Sequence, residues 1–460
     1  MAEVHHPNPH AIPALPAATI PVTNCDDSGA GSLRDALQNV AVDGDTVDLT
    51  GLSCSVISLT TGSILFFQNS ITLQGPGTFS LYLSGGGGSS RVAPLLHDGT
   101  GTLTINDMTI EDGAKYFTDA QTTNARGGCI FSAGFVDMND SEVKYCSAQN
   151  TGSTYGSLGG AVYAYSGISL SNTSILDSSA TATNTFGNGG GVYTLGSLTI
   201  VDSFIEGNTA STYEGGASGR SGGIVKYSQI SNNEAHGAGG IYILGNATIE
   251  NSTISSNTAD FGGGVWFNGT GATGPVTLLS STVSGNNAVT GTVGGVQMYG
   301  AAGGRIANST IAFNTTHDTA HLKYGAGLHD LATAVELESN IIAGNTNDSG
   351  SVLNDDVYGT TSASFNGANN LIVETSGQTA PPDTISADPL LNPLASNGGE
   401  TLTHAIRSPF SPAINTGNND AAVSFDQRGS GFPRVIGAGP DIGAFEFDLS
   451  DEIFFNGFDP

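Results

Sequence analysis

The segments SLTIVDSFIEGN (197–208), NATIENSTISSN (246–257) and GRIANSTIAFN (304–314) decide the fold. Each holds two short runs of alternating apolar and polar residues, parted by a polar break at Asp202, Asn251 or Asn308, and each ends on asparagine. Alternation of this kind marks a half-buried strand, and the break marks a corner. The closing asparagine recurs at Asn208, Asn233, Asn257, Asn286, Asn314 and Asn345, every 24–31 residues. Self-similarity at that period signals a stack of equivalent coils. Each unit opens on glycines and an apolar pair: GGAVYA (159–164), GGGVYT (189–194), GGIYIL (239–244), GGGVWF (262–267) and GGVQMY (294–299). Three short strands per coil predict an all-β, right-handed parallel β-helix. ITLQGPG, LTINDMTIEDG and VDMNDSEVKYCS extend the pattern toward the N-terminus, giving about 10–11 rungs and a rod of roughly 50 Å. Asparagine at a corner is expected to adopt the left-handed conformation and to bond to its copies above and below. No segment has the 3.6-residue period of a long amphipathic helix.

Flanking this region, residues 1–23 read as a Pro/Ala-rich arm, and 24–385 as the helix with its N-terminal cap. Residues 386–447 read as an irregular C-terminal cap rich in proline, and 448–460 as a tail. In the N-terminal cap, Ser32 is placed to cap a short helix, with Leu33, Ala36, Leu37 and Val40 facing the first rung.

Composition narrows the partners. With 12 basic against 41 acidic residues the net charge is −29. Nucleic acid is excluded for want of a basic face, and no apolar run reaches membrane-spanning length. A polyanionic glycan would be repelled unless Ca²⁺ bridged it. Four cysteines form two local pairs, Cys25 with Cys54 and Cys129 with Cys146, expected as disulfides of a secreted or surface-held chain; buried free thiols are the alternative. The opening MAEVHHPNPHAIPALPAA has no charged-then-apolar order, so a signal peptide is expected to have been removed. A monomer is expected.

The segments NCDDSGAGSLRDAL (24–37), GDTVDL (44–49) and SVISLTTGSILFFQNSITLQGPG (55–77) resemble the CSLREA-type entry of secreted bacterial proteins. Here Gly31 stands where that pattern has cysteine. ADPLLNPLASNGGETLTHAI (387–406), SPFSPAINTG (408–417) and DQRGSGFPRVIGAGPDIGAFE (426–446) resemble a choice-of-anchor Q domain, and the central repeats resemble those of polymorphic outer-membrane proteins. The resemblance implies a secreted or surface-held right-handed β-helix and no particular reaction. DEIFFNGFDP (451–460) resembles terminal tags on secreted proteins of some Gram-negative bacteria.

Aligning the rungs places Ile130, Val162, Val192, Ala217, Ile241, Val265, Val296 and Leu328 inward. The next residues, Phe131, Tyr163, Tyr193, Ser218, Tyr242, Trp266, Gln297 and His329, then point outward, as does a second column containing Tyr165, Arg220 and Tyr299. Sugar rings lie flat on aromatic faces. Tyr163, Tyr165, Tyr193, Trp266 and Tyr299 are therefore the candidate substrate-binding residues for a polysaccharide or cell-surface glycan. Aromatics that merely stack well on a β-surface, or that a loop covers, are the competing explanations. Arg220, His236, Tyr242, Glu214 and Asp260 are the candidate catalytic set. A lyase needs a charge neutraliser, a base and an acid. A hydrolase needs two carboxylates, for which Glu214 and Asp260 qualify. A non-catalytic adhesin with a plain rod is the alternative.

No cofactor is implied with certainty. The acidic loops 345–356 and 415–427 offer oxygen ligands suited to Ca²⁺. His317, Asp318, His321 and His329 are metal-ligand types, although the HExxH frame is absent. Asp426, Arg428, Arg434 and Asp441 read as an ion-pair network closing the rod.

Overall fold

The computed structural model describes residues 17–448, apart from 88–90, 292, 301–302, 321–323, 333, 350–352 and 361–362. The chain winds into a right-handed parallel β-helix of about eleven turns. Sheet I has 12 strands, from Ile64–Phe66 to Thr375–Ser376; sheet II has 13, from Thr19–Pro21 to Phe365–Asn366; sheet III has 12, from Val56–Ser58 to Leu371–Ile372. Sheet IV, ten-stranded, starts at Ala114–Phe117, so most coils carry a fourth short strand where three were expected, and a three-stranded sheet of Ala125–Arg126, Ser157–Leu158 and Gly187–Asn188 lies beside sheet I. Pairing among these strands is parallel except where Thr346–Asn347 meets Leu353–Asn354. The inward column is as expected: Ile130, Val162, Val192, Ala217, Ile241, Val265, Val296 and Leu328 are all buried. Burying one such Val, Leu or Ile side chain contributes roughly 1.5–3 kcal/mol.

The asparagines form a continuous buried ladder. Asn208 Nδ2 donates to Asn233 Oδ1, and the relay runs through Asn257, Asn286 and Asn314 to Asn345 at 2.8–3.0 Å. Asn345 Nδ2 ends it by donating to Asp356 Oδ1. The left-handed residue, however, is the one before each asparagine: Gly207, Asn232, Ser256, Gly285, Phe313 and Gly344 all have φ between 56° and 69°. That residue turns the corner, and the asparagine after it points into the core. The other corner repeats the device. Left-handed Asp202, Tyr227, Asn251, Ser280 and Asn308 precede Ser203, Ser228, Ser252, Ser281 and Ser309. Each of those serine hydroxyls accepts a backbone N–H from the rung before. Buried polar corners are thus satisfied rung by rung. The glycine pairs are required by close approach: a Cβ on Gly240 would lie 2.5 Å from the Gly264 carbonyl oxygen.

Several boundaries differ from expectation. Thr19–Pro21, within the supposed arm, pairs with Thr46–Asp48 and opens sheet II; most of the arm and the tail 451–460 lie outside the described residues. Ser32 caps the short helix Leu33–Asp35, which continues as a π-helix over Ala36–Val40. Leu33, Ala36 and Leu37 are buried, but Val40 is exposed because the wider π-turn carries it off the apolar face. Both disulfides, Cys25–Cys54 and Cys129–Cys146, are formed.

Residues 386–447 pack along the flank of the rod, where an end cap was expected. Their contacts on sheet III run from Gln229, which donates to the Glu400 carbonyl, through Thr253, Thr282 and Ser284 to Ser339. The outward residues of Thr253–Ser255, Thr282–Ser284, Thr310–Ala312 and Ile341–Ala343 are buried beneath them, whereas those of Phe204–Glu206 are exposed. The outward side chains are small (Thr, Ser, Ala) and let the segment lie flat, except Ile341, which packs among the segment's own apolar residues. The ion-pair network therefore pins this segment to the rod. Asp426 pairs with Arg428 at 2.7 Å, and Arg434 donates to the Asp441 carbonyl at 2.6 Å and to Asn308 Oδ1 at 3.1 Å. Glu446, absent from the expected set, completes the network 3.5 Å from Arg434, and burial pushes its carboxyl up to about 8.

Candidate functional site

The outward column of sheet I is in register as expected: Phe131 faces Tyr163, then Tyr193, Ser218, Tyr242, Trp266, Gln297 and His329 follow on successive strands. Tyr358 extends it by one rung. Residues about 4.8 Å apart along a parallel sheet hold their rings in stacking range. Phe131 and Tyr163 lie 5.8 Å apart between ring centroids, Tyr163 and Tyr193 5.9 Å apart, each pair nearly parallel.

These rings are not all free to meet a ligand. Tyr163 is 1 % exposed and Tyr193 7 %. Leu158 packs on them from the three-stranded sheet, and the Arg126 guanidinium lies 5.3 Å from the Tyr163 ring centroid. Tyr163 is therefore corrected from ligand contact to support for the stack. Tyr165 and Tyr299, from the second column, are exposed, and Tyr242 and Trp266 are half-buried. Tyr242 and Trp266 meet edge to face at 5.9 Å. The accessible aromatic surface is thus Tyr165 at one end and Tyr242, Trp266 and Tyr299 at the other.

Between those ends the column has a gap at Ser218, and Arg220 fills it. Its guanidinium lies 5.2 Å from the Tyr193 ring centroid and 4.5 Å from that of Tyr242, continuing the stack as a cation. Arg220 Nη2 donates to Glu214 Oε1 at 2.6 Å. Glu214 occupies the backbone position held in earlier rungs by Gly127, Gly159 and Gly189, whose φ values are 64–65°, and it keeps that left-handed geometry at φ 59°. A non-glycine residue there costs about 1–2 kcal/mol, and such outliers are found where a side chain is needed in place. Glu214 is 2 % exposed; burial pushes its carboxyl up to about 7 against the pull of Arg220. The same carboxylate holds Arg220 firmly cationic, raising its pKa against the burial that would lower it. Glu214 Oε2 and Arg220 Nε are buried without partners.

Of the candidate catalytic set, Arg220, Glu214 and Tyr242 come together. His236 and Asp260 form a separate pair, Nδ1 to Oδ2 at 2.5 Å, on segments that follow sheet IV strands. Both are nearly half exposed, and His236 also meets the Phe261 ring edge-on at 4.9 Å. Among the described residues no side-chain hydrogen bond or ion pair joins this pair to Glu214 or Arg220, although the backbones are adjacent: the Gly237 N–H donates to the Thr212 carbonyl and the Gly215 N–H to the Ala238 carbonyl. Glu214 is buried and bonded to Arg220, and Asp260 is bonded to His236, so each carboxylate of the expected hydrolase pair has its own partner.

The metal expectations meet competing partners. In loop 415–427, Asn415 Oδ1 accepts from the Ala438 and Gly439 amides and Asp426 holds Arg428. In loop 345–356, Asn345 and Asp356 belong to the ladder. His317 pairs with Asp348, His329 stands between Tyr324 and Tyr358, and His321 lies outside the described residues. Among the described residues no three His, Cys, Asp or Glu side chains converge on a metal position.

No protein-family model matches this chain, and no curated protein does, so the family resemblances of the entry, repeat and C-terminal segments gain no support from either. Among solved structures, the crystal structure of pectate lyase Pel9A matches over 94 % of this chain and 96 % of its own, with 14 % identity and a TM-score of 0.43. At that level no residue and no activity is transferred.

Proposed function

We propose that the chain is an extracellular polysaccharide-binding β-helix, with the glycan lying along sheet I over Tyr242, Trp266 and Tyr299 and anchored by Arg220. The observation that carries this reading is the placement of Arg220. A buried carboxylate on a left-handed backbone position orients one guanidinium between two tyrosines, in the rung where Ser218 opens the aromatic column. Fixed donors beside flat apolar faces suit hydroxyl-rich rings. Glu214 acts here as a positioning residue. The two disulfides accord with an oxidising, extracellular setting.

A degradative role, lyase or hydrolase, is the second reading, and the half-exposed His236–Asp260 pair is what favours it. A glycan screen scoring both binding and new unsaturated or reducing ends tests the two together. Binding that is lost in Arg220→Ala and Trp266→Ala supports the face. New ends that vanish in His236→Ala support catalysis. Binding unchanged in both sheet I variants would leave a display rod of the adhesin type.

A further inference from the structure

Twelve lysines and arginines serve a chain of net charge −29. Eleven lie among the described residues, Lys323 being the exception, and nine of these stand within 4.0 Å of a carboxylate. The two that do not, Lys115 and Arg126, line the same cavity of about 220 Å³. In so acidic a protein every cation has carboxylates to choose from, so leaving two unpaired at one place is a specific arrangement.

The cavity is built to keep them so. Arg126 is fixed by its stacking on Tyr163 and Tyr165, at 5.3 and 5.1 Å, and by the bond from Nη1 to the Tyr165 hydroxyl at 2.6 Å. Its Nε is buried with no partner. Lys115 projects from the first strand of sheet IV, its ammonium 5.4 Å from the Phe117 ring centroid, and burial holds its pKa below the ordinary lysine value. Leu65, Leu96 and Phe131 supply an apolar wall from sheet I. Asp98 is the one carboxylate on the rim, beyond ion-pair distance of either cation.

We propose that this cavity holds a uronic-acid residue, its carboxylate between Lys115 and Arg126 and its apolar ring face on Leu65, Leu96 and Phe131. The assignment rests on the glycan reading of sheet I and deepens it: the chain would take an acidic polysaccharide despite its own charge, because this end of the face is locally cationic. Arg220 stands three rungs away, roughly 14 Å at the spacing of parallel strands, beyond the covered rings of Tyr163 and Tyr193.

The test uses sodium glucuronate, glucose and sodium acetate against the full chain, followed by calorimetry or by NMR of the Phe131 and Tyr165 rings. Glucuronate is expected to bind in a salt-sensitive manner, to outbind glucose and acetate, and to weaken at least tenfold in Lys115→Gln. Among the described residues the Lys115 side chain makes no hydrogen bond, and its backbone pairing with Ala148 is untouched by the change, so that variant is expected to melt with the wild type; Arg126→Lys, which keeps the charge but loses the planar fork, gives a second reading of the same site. The assignment falls if glucuronate binds no better than glucose, if acetate binds as well, or if Lys115→Gln leaves the affinity unchanged. If long glycans fail to bind while glucuronate still responds to Lys115→Gln, the sheet-wide reading falls and the cavity assignment stands.

Discussion

Glu214 Oε1 accepts a hydrogen bond from Arg220 Nη2 in the rung where serine replaces the ring at position 218. Carboxylate, cation and missing ring belong together: the guanidinium stands where a phenol stands one rung earlier, at Tyr193. Removing the cation alone should expose the cost of the buried acid. Arg220→Ala is expected to destabilise the fold by about 2–4 kcal/mol at pH 8. The loss should be smaller at pH 5, where Glu214 is protonated in either protein. Adding Glu214→Gly, which suits the left-handed position, should recover most of it. Urea midpoints for both singles and the double mutant at the two pH values measure this; additivity of the two changes would show the pair to be uncoupled.

The pH dependence has a definite sign. Glu214 is raised from 4.5 to about 7, Glu446 to about 8 and Asp356 from 3.8 to about 6, each because burial disfavours the charged form. The folded state therefore holds these protons more tightly than the unfolded chain. Their stabilisation is complete below the unfolded pKa and is lost as pH rises through the folded one. Stability should decline between about pH 4.5 and 8, with Glu214 accounting for roughly 3 kcal/mol of the fall. Glu214→Gln keeps the acceptor for Arg220 and removes the titration, so its profile should be flatter over that window. A wild-type profile that instead rises with pH would contradict the assignment.

Aromatic contacts should weigh on binding and spare the fold. Tyr299 is 49 % exposed, so Tyr299→Ala is expected to leave the melting temperature within about 1 °C. Trp266→Ala should lower glycan affinity by three- to tenfold, in the range of a single ring contact. Tyr163→Ala, by contrast, should reduce stability first, because that ring has no open face. Affinity and melting measured on the same three variants separate the roles.

The asparagine ladder should be intolerant of a single gap. Asn257 Oδ1 accepts from both the backbone N–H and Nδ2 of Asn233, while its own Nδ2 donates to the Ile230 carbonyl and to Asn286 Oδ1. Asn257→Ala leaves all of these buried groups short of a partner and is expected to cost about 2–4 kcal/mol. Hydrogen exchange should show the loss concentrated in the rungs of Asn233 and Asn286, since a stacked array transmits energy between neighbours.

Much of this was legible in the one-dimensional pattern because a stacked coil turns sequence spacing into vertical contact. Once Asn208, Asn233 and Asn257 were aligned, the positions of Val192, Ala217 and Ile241 inside and of Tyr193, Ser218 and Tyr242 outside followed from alternation. The corner geometry did not follow, because asparagine both tolerates the left-handed region and makes good ladders; only coordinates show Ser256 doing the first and Asn257 the second. His236 looked as close to Arg220 as Glu214 did, since loop residues carry no periodicity to place them. Lys115 and Arg126 are not legible as a pair for the same reason: they come from sheet IV and from the small sheet beside sheet I, and nothing in their spacing announces a shared cavity.

The amino-acid order by itself determined the period and the identity of the stacked column, because burial of one strand face and satisfaction of each corner are local demands repeated rung after rung. Only the tertiary structure decided which of those rings remain open, since Tyr163 is closed off by Arg126 and Leu158 from a neighbouring sheet. It alone also laid residues 386–447 along the flank, where long-range contacts between irregular segments and small outward side chains leave no repeating trace in the chain.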